Sequence, residues 1–531
     1  MLHSRLLWSA VIFVLALSLR LWFLHDLSQT PYGDRLMIDA AAYDRHAAEI
    51  AGGNWAGDQV FYQSPLYPYF LGTLYTVFGR DFTAVRAVQS VLGSATCVLL
   101  FLLARRLYGL RAGVIAGLLA ATYSTFIFQD NMLLKSVVIL FFVSLALLVL
   151  SRTDRPFTNR VLFGGGLLYG IAICGRGNLL LALPFLLAWI ALRDRAARRR
   201  FVPALVFLIG VFLAVAPVTI RNRVVGNDWV MTESDAGINL FVGNNPAATG
   251  VHTPPDNVRT VPEHEEADAK RLAERESGRA LKPSEVSAFW MRKAIRFALE
   301  NPGRELGLIG RKFVLAWNWY EVPDNYNQYF FGRFSPLFRG FLPAFQLLAP
   351  FAVLGFALSC RRWRETGAVL IYTFAYMFSL LVLYVTSRYR LPIAIGLVPL
   401  AAFGMVSTWD AIRSRSARRT ATCGIVVLAV WLFVRTDQFE YYGFAKQDTE
   451  IATFYAQLGD FARAEEHFQL AIEEGAASGS LHLVYLNQGI LFAKTGRTAD
   501  AAEAFRNALR VEPDFYPARA ELERLPRPSP Q

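Results

Sequence analysis

Asp39 and Asp44 stand five residues apart in "MIDAAAYDRHAAEI", with Tyr43 between them, and a third acid, Asp130, lies in "FQDNMLLKS" shortly before Lys135. Four arginines occur in unusual places: Arg176 in "CGRGN", Arg221 in "TIRNRVVGND", and Arg388 and Arg390 in "TSRYRLP". A carboxylate can take a proton from a hydroxyl. A planar guanidinium grips a phosphate through two parallel N–H groups and stabilises its charge as it departs. Together they suit group transfer from a phosphate to a hydroxyl, with Asp39 and Asp130 as candidate catalytic acids and Tyr43 and Asp44 in the substrate loop. The chain has no Walker A loop. Plainer readings stand beside these. Asp39 suits an N-cap, Asp44 a solvated helix face, and Asp130 a cap or a partner for Lys135. Each arginine could instead snorkel toward headgroups.

The elements that must position these residues are apolar. The 531 residues are 54% hydrophobic and 18% charged, with a net charge of +12. This composition predicts an all-α polytopic membrane protein. Apolar segments near 5–25, 83–104, 111–128, 132–151, 161–175, 178–192, 202–220, 342–360, 367–386, 391–409 and 421–435 give about eleven transmembrane helices. Basic clusters at Arg105/Arg106/Arg111, Arg152/Arg155/Arg160, 193–200, Arg361/Arg362/Arg364 and 413–419 then all fall on one side. The positive-inside rule makes that side cytoplasmic, with the N-terminus. Two large segments, 26–82 and 221–341, face outward, as do the C-terminus and the candidate site. "SPLYPYFLGTLYTVFG" is predicted to lie in the interface with Ser64 as N-cap and Pro65 in the first turn. The excess of Arg and Lys is topological; no basic stretch interleaved with base-stacking aromatics indicates nucleic acid. The four cysteines lie in or beside apolar runs without a CxxC pair, so neither a disulfide framework nor a zinc site is indicated.

Domain organisation divides at 440. Residues 1–440 form the transmembrane domain, and 441–531 form a small helical domain. In the latter, "FYAQLGDFARAEEHFQLAIEEG" aligns with "YLNQGILFAKTGRTADAAEAFRNALRVEPDF", and this tail resembles a tetratricopeptide repeat pair. It is either a platform for a protein partner or a cap on the membrane domain.

Charge at the outer membrane edge calls for an anionic partner, and a lipid phosphate is the natural one. An activated sugar on a polyprenyl phosphate brings its own leaving group. It needs one base for the acceptor hydroxyl and fixed positive charge for the phosphate, the latter from Arg388, Arg390, Arg221 and Arg176. The order of "IDAAAYDRHAAEIA", "QSPLYPYFLGTLYTVFG", "VRAVQSVLGSATCVLLFLLARRLYG", "GIAICGRGNLLLALPFLLAW", "TIRNRVVGNDWVMTESDAGINLFVGNNPAATG" and "SRYRLPIAIGLVPLAAFG" resembles the GT-C membrane glycosyltransferases. The likeness is to the bacterial branch near the protein O-mannosyltransferases and lipid A aminoarabinose transferases. It implies a GT-C-like bundle in a bacterial plasma membrane, with a polyprenyl-phosphate-linked sugar as donor. The acceptor is a glycan, lipid or protein. The resemblance places the catalytic base at Asp39 and matches Tyr43 and Asp130; Ala40 stands where the mannosyltransferases carry a second acid. No cofactor is indicated; Asp39 and Asp130 could hold a divalent ion, but nothing in their spacing demands one. Rival readings are a transporter or flippase of lipid-linked sugars, or a scaffold acting through the tail. A reporter active only in the cytoplasm, fused after Gln531, should be silent; activity there would overturn the outward placement of the tail.

Overall fold

A computed structural model describes residues 2–151, 157–193, 201–255, 257–259, 261–340, 342–436, 443–475 and 481–525. The basic residues Arg152, Arg155 and 194–200, the predicted boundary at 440, and 526–531 lie outside the described residues. All regular structure among the described residues is helical. The apolar helices are α1 (Leu2–Ser28), then, after α2 (Ile38–Ala51) and α3 (Leu66–Phe78) of segment 26–82, α4 (Phe82–Tyr108), α5 (Leu110–Thr122), α6 (Ser124–Asn131), α7 (Ser136–Leu150), α8 (Asn159–Gly175), α9 (Leu183–Arg193) and α10 (Phe201–Gly226). Segment 221–341 carries α11 (Ala236–Gly243), α12 (Pro262–Ser277), α13 (Pro283–Glu300) and α14 (Pro302–Trp317). The chain returns through α15 (Phe345–Ser359), α16 (Trp363–Val382), the short α17 (Ser387–Arg390), α18 (Ala394–Arg413) and α19 (Ala417–Val434).

Every apolar segment predicted from sequence is helical. By length and composition, six runs can cross a membrane: Ser4–Ser28, Phe82–Tyr108, Phe201–Gly226, Phe345–Val382, Ser387–Arg413 and Ala417–Val434. The α5–α6 pair, bent by 51°, makes a seventh. The difference from the expected eleven lies in the shorter apolar helices Ser136–Leu150, Asn159–Gly175 and Gly177–Arg193, and in Phe345–Val382, which the sequence divides in two. That run breaks at the 3-10 turn Cys360–Arg362. There Thr366 Oγ1 donates to the Ser359 carbonyl at 3.0 Å, seven residues back. A straight helix would set those residues about 10 Å apart.

Close helix contact replaces the hydrophobic driving force that lipid cannot supply. A Cβ on Gly166 would overlap the Phe207 carbonyl, and one on Gly210 the Phe163 carbonyl, so α8 and α10 touch backbone to backbone. Gly355 and Gly404 do the same for α15 and α18. Segment 221–341 packs on its own core, in which Ile238, Phe241, Val242, Ala269, Trp290 and Ala294 meet Tyr384 from just past the end of α16. The predicted start of α3 is corrected. The helix begins at Leu66, and Ser64 makes no cap but accepts from Lys135 Nζ at 2.8 Å and bonds to Glu233.

The chain divides into two compact units. The larger comprises residues 1–25, 36–328 and 335–438; the smaller comprises 26–35, 329–334 and 439–531. In the smaller unit the tail forms α20 (Ala445–Gln457), α21 (Phe461–Gly475), α22 (Leu481–Lys494), α23 (Thr498–Val511) and α24 (Tyr516–Arg524). Gly459 and Gly496, both at positive φ, turn α20 into α21 and α22 into α23. Phe492, Ala501, Ala504 and Phe505 form the core of the second pair.

Gly210→Ala should destabilise the chain by about 1–3 kcal/mol, because backbone blocks the added methyl. Gly307→Ala, with nothing within 4 Å of the new Cβ, should be neutral or stabilising. Thermal unfolding of the purified protein in detergent separates the two.

Candidate active site

The first turn of α2 carries Asp39. The helix enters through Ile38 at φ +48°, a conformation that a β-branched residue adopts only under strain. Met37, not Asp39, occupies the N-cap position, and Asp39 is no cap. Its carboxylate is buried and fully engaged. Oδ1 accepts from Gln63 Nε2 at 2.7 Å and Oδ2 from Arg388 Nη1. Burial pushes its pKa upward, but Arg388 and these donors outweigh burial and hold it at about 2. Arg388 is shared: its Nε donates to Asp324 Oδ2 at 2.9 Å, which also accepts from Thr386 Oγ1 at 3.0 Å. Tyr43, one turn along α2, stacks edge-on against Tyr67 at 5.2 Å. Its buried hydroxyl has no partner, and burial with the Asp39 charge holds the phenol well above its ordinary pKa.

A second cationic group surrounds Arg176, which is 4% exposed. Its Nη1 donates to Tyr376 Oη at 2.9 Å and its guanidinium lies 4.7 Å from the Tyr389 ring centre. Nε and Nη2 are buried and have no protein partner. The adjacent Gly177 N–H donates to Glu233 Oε1 at 3.0 Å, and Lys135 Nζ stands 3.9 Å from Glu233 Oε2. The charges of Glu233, Arg176, Asp235 and Arg388 all act on Lys135, which joins this group to the Asp39 site.

The other predicted residues are committed elsewhere. Asp44 is buried, not a solvated face: Arg80 binds it through two N–H groups at 2.9 and 2.7 Å and Tyr75 Oη donates at 2.7 Å. Asp130 ends α6 and neither caps a helix nor pairs with Lys135. It accepts from Arg20 Nε at 2.8 Å, and both side chains are shut from solvent. Arg390 pairs with Glu321 at 2.6 Å, donates to the carbonyls of Ala316, Asn318 and Tyr320, and lies 4.1 Å from the Phe345 ring. Arg221 is spent on the carbonyls of Ala56 and Gln59 and on the Phe61 ring, so it pins the 56–61 loop. Arg388 therefore bonds to Asp39 and Arg176 keeps open donors, while Asp44, Asp130, Arg390 and Arg221 are each bonded to other protein groups.

Sequence reasoning missed Glu233, Asp235, Asp324 and Glu265, all within 221–341. For Asp324 the available signal was the string of acids and amides in "NWYEVPDNYNQYF"; for the other three it was only the acids of "TESDAG" and "PEHEEAD". Glu265, on α12, accepts from Tyr62 Oη at 2.9 Å. Burial, helped by the Asp39 charge and opposed by the Tyr62 hydrogen bond and Arg388, raises its carboxyl to about 7. Among the described residues no group of three or more His, Cys, Asp or Glu side chains is placed to hold a metal ion.

Residues 62–220 match the family described as dolichyl-phosphate-mannose-protein mannosyltransferase. The match includes Asp130 and Arg176 and supports the GT-C resemblance drawn from the sequence motifs; Asp39 and Arg388 lie beyond it. No curated protein matches the chain. Among solved structures, the oligosaccharyltransferase AglB from Archaeoglobus fulgidus, in complex with an inhibitory peptide and a dolichol-phosphate, is similar at 15% identity and a TM-score of 0.42. That similarity covers 85% of this chain and 58% of AglB, so the chain spans little more than half its length. ArnT from Cupriavidus metallidurans, bound to undecaprenyl phosphate, is similar at 16% identity and a TM-score of 0.33, over 78% of this chain and 80% of that one.

Glu265 gives a pH test. Its folded pKa of about 7 exceeds the ordinary 4.5, so the native state holds a proton that the unfolded state has lost. Stability should therefore fall as pH rises from about 4.5 to about 7. Glu265→Gln mimics the protonated form. It should leave the melting temperature unchanged at pH 5 and raise it at pH 8. Parallel melting curves at both pH values would refute the assignment.

Proposed function

We propose that the chain transfers a sugar from a polyprenyl-phosphate donor to an acceptor hydroxyl on the outer face of a bacterial plasma membrane. The observation that carries this reading is Arg176: a buried guanidinium with two donor nitrogens unpartnered among the described residues, in the electrostatic reach of Lys135 and Arg388. An unsatisfied buried cation is expensive unless an anion completes it. A lipid-borne phosphate meets that need at the membrane edge. The description of the matched family, which names a lipid-phosphate-linked mannose, supports the same donor class.

In this reading Asp39 takes the proton from the acceptor hydroxyl as its oxygen forms a bond to the anomeric carbon. The bond from that carbon to the phosphate oxygen breaks, and the electron pair leaves with the polyprenyl phosphate. Arg176, Lys135 and Arg388 stabilise the charge that the phosphate gains. A carboxylate with a pKa of about 2 is a weak base. When the phosphate draws on Arg388, Asp39 loses part of its main stabilising charge and its basicity rises. Donor binding thereby activates the base.

Asp39→Asn should lower turnover by about 10²–10⁴-fold, typical of a lost general base. Folding should change little, because Arg388 keeps Asp324. Arg176→Ala should raise the donor KM and lower kcat, with Arg176→Lys rescuing in part. Transfer assays with an undecaprenyl-phosphate sugar and purified protein check both; near-normal turnover of Asp39→Asn would sink the reading.

A further inference from the structure

We propose that the tail is an intramolecular clamp on the two stretches of chain that carry the carboxylates of Arg388, with Tyr32 and Arg333 as its positioning residues. The smaller compact unit is not the tail alone. It contains 26–35, which ends four residues before Asp39, and 329–334, which begins five residues after Asp324.

Both segments are held by side-chain contacts within that unit. Pro31, Tyr32 and Gly33 are buried. The Tyr32 ring meets Phe454 of α20 edge-on at 5.6 Å and lies 5.1 Å from Phe331, and its hydroxyl reaches the Gln447 carbonyl at 3.5 Å. Arg333 grips both oxygens of Asp448 through Nη1 at 2.9 and 2.8 Å and Glu474 through Nη2 at 2.6 Å. Its guanidinium also lies 4.9 Å from the Phe444 ring. Asp448 is wholly buried on α20, with His467 Nδ1 2.9 Å from it. A buried carboxylate needs a cation, and breaking such a pair by removing one partner is strongly destabilising. The tail is therefore built around a cation delivered by the second outward segment and an aromatic ring delivered by the first.

The chain between clamp and site supplies the second argument. Ile38, directly before Asp39, is held at φ +48°. Such strain persists only where the surroundings fix both flanks. Asp39, bound to Arg388 and Gln63, fixes one flank. Residues 31–33, buried in the smaller unit, fix the chain upstream of the other. Asp324 is likewise anchored at the site, with 329–334 held just beyond it.

The test is hydrogen–deuterium exchange on the full-length protein in nanodiscs. It compares wild type with Arg333→Ala, Tyr32→Ala and Arg333→Lys. Both Ala variants should speed exchange at least tenfold at the amides of 36–44 and 320–328, leaving α4, α10 and α18 at wild-type rates; Arg333→Lys should restore much of the protection. The proposal rests on the transferase reading only for its kinetic consequence: kcat falls several-fold with the donor KM unchanged. Wild-type exchange at 36–44 and 320–328 in both Ala variants overturns the clamp, and so does faster exchange spread equally through α4, α10 and α18. Because exchange needs no turnover, it decides the clamp even where Asp39→Asn rejects the transferase reading.

Discussion

One guanidinium holds the site together. Arg388 binds Asp39, 349 residues earlier, and Asp324, 64 residues earlier, so a single side chain beside the α18 helix ties segments 26–82 and 221–341 to it. Removing three charges from water is expensive, and the arrangement is tolerable because further donors share the load. Gln63 donates to Asp39, and Thr386 donates to Asp324. Two carboxylates on one arginine also leave the cluster short of positive charge. Arg176 and Lys135 stand next to that deficit, which keeps them folded inward without giving Arg176 a carboxylate of its own.

Three other buried acids follow a simpler rule. Asp130 has Arg20, Glu321 has Arg390, and Asp44 has Arg80, each a pair that fixes one helix or loop against another. A transporter needs ionisable groups free to exchange partners along a path through the membrane. Arg20 and Asp130 are instead sealed from solvent and bonded to each other. Arg176, with its open donors, stands at the C-terminal end of α8.

The helices were legible in the sequence because each needs only a local run of apolar residues. Asp39 drew notice through its place after the first span and the resemblance of its motif; its burial against Arg388 is what the fold adds. What spacing does not encode is pairing. Nothing near Arg390 announces Glu321, nothing near Arg221 announces the carbonyls of the 56–61 loop, and so four arginines that looked alike in sequence divide into two kinds in the fold. The acids of the second outward segment were hidden differently. Glu233, Asp235, Glu265 and Asp324 sit in polar stretches where carboxylates are common, and only burial distinguishes them.

Asp39 and Glu265 then form an instructive contrast. They share one electrostatic neighbourhood, yet the first is held near 2 and the second is raised to about 7. Environments that push two carboxyl groups apart in this way commonly divide acid and base duties between them. Here the division depends on Arg388, which lowers both groups but bonds directly only to Asp39. Moving that one charge toward an incoming phosphate would strengthen Asp39 as a base and hold Glu265 more firmly protonated. The same displacement thus keeps a second negative charge from forming where phosphate charge is building.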